Sequence, residues 1–148
     1  MGEVCIGVLV VAVVAYILSR VSAARTQAVG NVSGPGEFDV EVVGESHYQQ
    51  ALERICGGRT RNGVEKYVTA QLVLEDSNRY DRMAVRVDIE GQTVGYLSRE
   101  NAREYRRQLK RAGHPDLTVT CDALIRGGWD RGGGDTGNFG VRLDRPVD

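Results

Sequence analysis

Proline is scarce in this sequence, at three residues, while glycine is abundant, at nineteen. That ratio implies many turns and close backbone approaches, the composition of a β-barrel or sandwich more than of a helical bundle. Charge of one sign is also missing, because nineteen Lys and Arg against twenty Asp and Glu leave a formal charge of −1. No global field attracts nucleic acid or anionic lipid, so any polyanion site must be a local patch. Cysteine is limited to Cys5, Cys56 and Cys121, an odd number at long spacings. This argues against a disulfide framework or a zinc site and for buried thiols. The only histidines are His47 and His114, and there is neither a Gly-rich loop ending in Gly-Lys-Ser/Thr nor a Cys-x-x-Cys pair. With no clear nucleophile and base, carboxylate pair, phosphate loop or metal constellation, the expectation is a binding module, not an enzyme, with no cofactor and no metal.

The 148 residues are enough for one domain and a short appendage. Val4 to Leu18 is an uncharged run with ten Val, Ile or Leu residues. At ~0.3 to 0.6 kcal/mol each, they favour bilayer insertion by roughly 3 to 6 kcal/mol. Residues 2–19 are therefore read as a minimal single membrane span, and a Val-rich core strand would be about half as long. A cleaved signal peptide is the rival, since Ala23 and Ala24 are small, but no Lys or Arg precedes the run. Arg20 and Arg25 follow it, so the positive-inside rule places the rest of the chain in the cytoplasm. The expected organisation is an anchor and flank over residues 1–25, a flexible linker over 26–37 rich in Gly, Asn and Ser, and a domain over 38–148.

Within the domain, alternating or β-branched apolar positions predict six strands: Phe38 to Val43, Tyr67 to Glu75, Ala84 to Ile89, Thr93 to Leu97, Leu117 to Ile125 and Phe139 to Leu143. Glu90-Gly91 reads as a tight hairpin turn. A 3.6-residue period joins Tyr48, Ala51, Leu52, Ile55 and Cys56, with Ser46 and Gln49 as a capping box and Gly57 as the stop. A second helix opens at Ser98, carries Ala102, Tyr105, Leu109 and Ala112 on one face, and ends at Gly113 and Pro115. Two helices amid mostly antiparallel strands predict an α+β domain on a partly closed barrel, since closure buries the sheet edges. Asp130 and Asp135 among the glycines of 127–140 resemble one copy of a calcium repeat, but a mobile hairpin loop is the better expectation.

Asn78-Arg79-Tyr80-Asp81 follows a strand end. Asn and Asp bond the local backbone in such turns, which would present Tyr80 at the tip, although a packed loop tyrosine is the commoner outcome. The second helix is locally basic, with Arg99, Arg103, Arg106, Arg107, Lys110 and Arg111 against Glu100 and Glu104. Most such runs are solvated faces, yet a basic helix beside an exposed aromatic is also what a single-stranded nucleic-acid groove requires.

Val42-Val43-Gly44-Glu45-Ser46-His47-Tyr48, Leu74 to Val87 and Gly91 to Arg99 together resemble a HIRAN domain, a module fused to SNF2-type helicases and also found alone in bacteria. The Asn-x-Tyr-Asp-x-x-Ala segment followed by Val-Gly-Tyr-Leu is specific in combination, and the resemblance extends from about Phe38 to Leu143. It implies an OB-like, mostly antiparallel six-stranded barrel with two helices, here preceded by one transmembrane helix. It also implies binding of the 3′-hydroxyl end of single-stranded DNA. By that resemblance Asp81 accepts the terminal hydroxyl's hydrogen bond, Tyr80 stacks on a base and Asn78 shapes the pocket. Tyr96 and Arg99 supply further contacts, Arg99 to phosphate, and His47 and Tyr48 border the site. Ser46-His47 stand where the helicase-like transcription factor carries Arg-Tyr, one cation and one ring fewer. The alternative is a protein-interaction or membrane-proximal adaptor using the same barrel without nucleic acid, and a nuclease lacks a ligand cluster.

Overall fold

The computed structural model describes residues 29–145, and the membrane span expected over residues 2–19 lies outside them. Seven strands and two helices follow in order: β1 (Val29–Val32), β2 (Val40–Val43), α1 (Gln49–Cys56), β3 (Val64–Leu74), β4 (Val85–Ile89), β5 (Gln92–Leu97), α2 (Arg99–Arg111), β6 (Thr118–Gly127) and β7 (Phe139–Asp144). A 3₁₀ turn, Glu45–His47, precedes α1. The ladder β6-β3-β4-β5-β2-β7 is antiparallel throughout, and β7 pairs again with β6, so six strands close into an OB-like barrel.

The period-2 pattern decides which side chains fill this barrel. Ala70 and Leu72 of β3, Val85 and Val87 of β4, Val94 of β5, Val119, Ala123 and Ile125 of β6, and Val141 and Leu143 of β7 point inward and are buried. Leu52 and Ile55 of α1 and Ala102, Tyr105 and Leu109 of α2 join the same core. Glu90 and Gly91 both have positive φ, 51° and 72°, which lets a two-residue turn match the strand twist between β4 and β5. Ser98 Oγ accepts the Asn101 N–H at 3.1 Å and caps α2, and left-handed Gly57 ends α1.

Three expectations need correction. The stretch read as linker contains β1, which pairs in parallel with Thr118 to Cys121 of β6. A four-residue Val-Gly-Asn-Val segment shows no usable period, and its partner lies about ninety residues away. Just beyond it, the buried Asp144 carboxylate accepts the Gly36 N–H at 2.9 and 3.0 Å. The capping box at Ser46 and Gln49 does not form. Ser46 sits in the 3₁₀ turn, and the Gln49 amide instead donates to Glu45 O (3.0 Å) and Phe139 O (2.9 Å) and accepts from Phe139 N (2.8 Å). Nor is the loop after β6 loose. Trp129 Nε1 donates to Asp135 (3.2 Å), Arg131 lies 5.5 Å over the indole, and Asp130 accepts the Gly132 N–H (2.9 Å). The two aspartates are thus spent on the turn itself.

β5 is crossed closely by β2 at Gly95, where a Cβ would lie 2.5 Å from Val42 Cγ1 and 2.7 Å from the Val43 carbonyl oxygen. A backbone oxygen cannot step aside as a side chain can. Gly95→Ala should therefore destabilise the barrel by about 1 to 3 kcal/mol, the usual cost of overpacking. Denaturant unfolding of both forms checks this, and an unchanged midpoint would show that β2 is free to move.

Candidate nucleic-acid interface

The β3–β4 loop is built from its own side chains. Asn78 Oδ1 accepts the backbone N–H groups of Tyr80 (2.9 Å) and Asp81 (3.1 Å), while its amide donates to Glu75 Oε1 (3.1 Å). Asp81 Oδ1 accepts the Met83 N–H (2.9 Å) in a second turn of the same kind. These bonds raise Tyr80 to the tip, where it is 87% exposed, with the Arg79 guanidinium 5.9 Å from its ring. The packed-tyrosine alternative does not hold. Asp81 also does double duty, since Oδ2 is left facing Arg99 Nε at 4.0 Å, with side-chain exposures of 19% and 80%.

Behind the loop stands a residue that charge counting had pooled with the solvated helix. Arg106 is 13% exposed and donates to Met83 O (2.9 Å), Ala84 O (3.0 Å) and Asp76 (2.7 Å). Arg107 and Arg111 pair with Glu104, and Arg103 donates to Arg99 O. The cations exposed at the loop and the start of α2 are therefore Arg79, Arg82, Arg99 and Arg103, a much smaller patch than the run of arginines implied.

A polar network on the outer face of β4 and β5 supports the other side. Arg86 bridges Glu75 (3.0 Å) and Asp88 (2.8 Å), and Thr93 donates to Asp88 (3.1 Å). Tyr96 pairs in register with Arg86 on one side and Val43 on the other, and its ring lies 6.5 Å from that of Tyr48. Burial, and then the Glu75 carboxylate, push the Tyr96 hydroxyl above the usual phenol range, so it remains a neutral donor. Burial works against ionised Glu75, but hydrogen bonds from Asn78, Arg86 and Tyr96 outweigh it and hold this carboxyl below its ordinary 4.5.

Six of the seven expected residues are thus linked. Asn78, Tyr80, Asp81 and Arg99 meet at the loop, and Tyr96 with Tyr48 joins them through Glu75. His47 ends the 3₁₀ turn beside Tyr48 with its side chain exposed. Sequence reasoning missed Glu75, Arg86 and Arg106 as supports. Arg86 and Asp88, opposite charges two apart on one strand face, were a usable signal, whereas Arg106 had none. Among the described residues no group of three or more His, Cys, Asp or Glu is placed to hold a metal.

The described residues combine an OB-like barrel with an exposed aromatic turn and a cationic rim. The family model for the HIRAN domain matches residues 35–122, more than half of the chain. The chain belongs to the HIRAN domain family, whose membership points to nucleic-acid binding as the class of function. The match ends within β6, short of the Leu143 to which the resemblance was carried. No curated protein and no solved structure matches it.

Arg106→Ala removes three bonds to the loop at once, so amides of residues 75–84 should exchange faster with solvent while β6 and β7 keep their protection. Loss of protection across the whole barrel would instead make Arg106 a core residue. Glu75 sets a pH dependence. A carboxyl whose folded pKa is depressed contributes stability above its unfolded value, and that contribution fades as pH falls through the folded value. Between about pH 5 and pH 3, Glu75→Gln should therefore lose less stability than wild type. Parallel slopes from denaturation at stepped pH would contradict this.

Proposed function

We propose that this domain binds single-stranded DNA at its 3′ end, and that residues 2–19 tether it to the cytoplasmic face of a membrane. The observation that carries the DNA reading is the pre-formed turn. Tyr80 is 87% exposed on a backbone already held by Asn78, Asp81 and Arg106, so a base can stack without an ordering cost. Asp81 Oδ2 is the acceptor for the terminal hydroxyl, with Oδ1 locked to Met83 N. Arg99, highly exposed and facing Asp81, takes the adjacent phosphate. Tyr96 and Tyr48 line the next stretch of strand, with Val43 supplying exposed apolar surface beside them. The adaptor alternative draws on the same cleft, and on the fact that four of the six cations of α2 are ion-paired within the protein.

Binding of the full chain to short single strands ending in a 3′-hydroxyl or a 3′-phosphate separates the two. A 3′-phosphate brings like charge to Asp81, so wild type should prefer the hydroxyl, and Asp81→Asn should erode that preference more than it erodes binding to internal strand. Tyr80→Ala should cost roughly 1 to 3 kcal/mol of affinity, with Tyr80→Phe nearly silent. Equal binding of both ends by folded wild type would end the 3′-end reading, and no binding of either strand would favour the adaptor.

A further inference from the structure

On the outer wall of the barrel lies a pocket of about 310 Å³, lined by Phe38, Tyr67, Val68, Thr69 and Asp122. Tyr67 and Thr69 are alternate residues of β3 and share its outward face, and Thr69 pairs in register with Asp122 of β6. Tyr67 is 64% exposed, and its ring meets that of Phe38 edge to face, with centroids 5.5 Å apart. Phe38 holds a positive φ of 52°, which a bulky residue rarely adopts. The chain is pinned on both sides of it, by the Gly36 N–H on Asp144 and by the pairing of Val40 with Leu143.

The surroundings of this aromatic pair are acidic. Asp122 is exposed, and its carboxylate makes no hydrogen bond or ion pair among the described residues. Glu37 and Asp39, exposed on either side of Phe38, have no cationic partner there either. A hydrogen bond shared with Asp39, and then the Asp39 charge, hold the Glu37 carboxyl above its ordinary 4.5, the mark of negative charge left uncompensated. On the same outward face, Arg126 of β6 and Arg142 of β7 are already paired with Glu65 and Glu41. Bare carboxylates beside an aromatic face repel a polyanion and attract an organic cation.

Chemistry and size narrow the occupant. A guanidinium lies flat on an aromatic ring and donates two parallel hydrogen bonds to one carboxylate, which an ammonium cannot do. Tyr67 supplies the ring and Asp122 the carboxylate, in one pocket. Its volume is near the ~300 Å³ at which small-molecule sites begin, room for one side chain. We propose that this pocket is the docking site for an arginine in a basic segment of a partner protein, with the guanidinium over Tyr67 and against Asp122. The aliphatic stem packs on Phe38. The site is independent of the nucleic-acid reading. Seven steps along β3 separate Tyr67 from Leu74, which at ~3.3 Å each places the pocket roughly 23 Å from the β3–β4 loop.

The test titrates the full chain, in maltoside micelles, with the terminally blocked tripeptide Gly-Arg-Gly and follows backbone amide shifts by NMR. Gly-citrulline-Gly keeps the shape without the charge, and Gly-Lys-Gly keeps the charge without the planar fork. Saturable shifts are expected at residues 67–69 and 122, with the citrulline peptide about tenfold weaker and the lysine peptide about threefold weaker. Tyr67→Ala and Asp122→Asn should each weaken the arginine peptide about fivefold, while Tyr67→Phe, which keeps the ring, binds as wild type. Asp122→Asn should also keep the wild-type melting temperature, as its carboxylate has no protein partner to lose. Equal affinity of the arginine peptide and either comparator, unchanged affinity in Asp122→Asn, or a wild type that binds none of the three would each overturn the proposal. So would single-stranded DNA shifting the same amides, which would make this face part of the nucleic-acid groove. Shifts of those amides on dilution of the protein alone would assign the pocket to a second copy of the chain and overturn it as well.

Discussion

Closing a sheet on itself requires every strand to satisfy two edges, and in this barrel the demand falls hardest on β6. One edge carries β3 along nearly its whole length, while the other is divided between β7 at residues 122–127 and β1 at 118–121. An uncovered edge would leave backbone groups open to pairing with another chain. On the far side of β7 the seam is imperfect, because β2 pairs with it only at Val40 and Glu41 before turning to β5. Gln49 and Glu45 fill the gap, bonding Phe139 and Val141 as a missing strand would. The start of α1 is therefore set by the seam. That in turn places Tyr48 against Tyr96.

The face around Tyr80 depends on charge being paired within the protein before any is presented to solvent. Desolvating a guanidinium or carboxylate is expensive unless hydrogen bonds replace the lost water. Arg86 between Glu75 and Asp88, and Arg106 on the carbonyls of Met83 and Ala84, meet that condition. Their bonds are spent on rigidity. What remains for a polyanion is a short arc of exposed arginines around Tyr80, in a chain of net charge −1. Such an arc attracts phosphate locally and loses that attraction within about 8 to 10 Å at physiological salt.

The same helix separates two chemistries. Its N-terminus and the Arg106 side face the loop, while Tyr105 and Leu109 face the core. Successive helix positions point about 100° apart, so neighbours such as Tyr105 and Arg106 serve different surfaces. Charge counting along α2 overestimated its basic face for that reason. It counts residues, whereas a ligand meets only those not already paired.

The sequence by itself determined the six barrel strands, both helices, the Glu90-Gly91 turn, the Ser98 cap and the turn chemistry of Asn78 and Asp81. Each rests on a period of 2 or 3.6 or on side chains bonding backbone within three residues, and such interactions are legible along a line. Tertiary structure alone decided that Val29–Val32 would join the sheet, that Gln49 would serve β7 in place of a capping box, and that Arg106 would hold the loop. In those cases the partners lie roughly twenty to ninety residues apart, and several groups compete for the same bond. Only the closed barrel, by bringing one partner near and burying it, makes that choice.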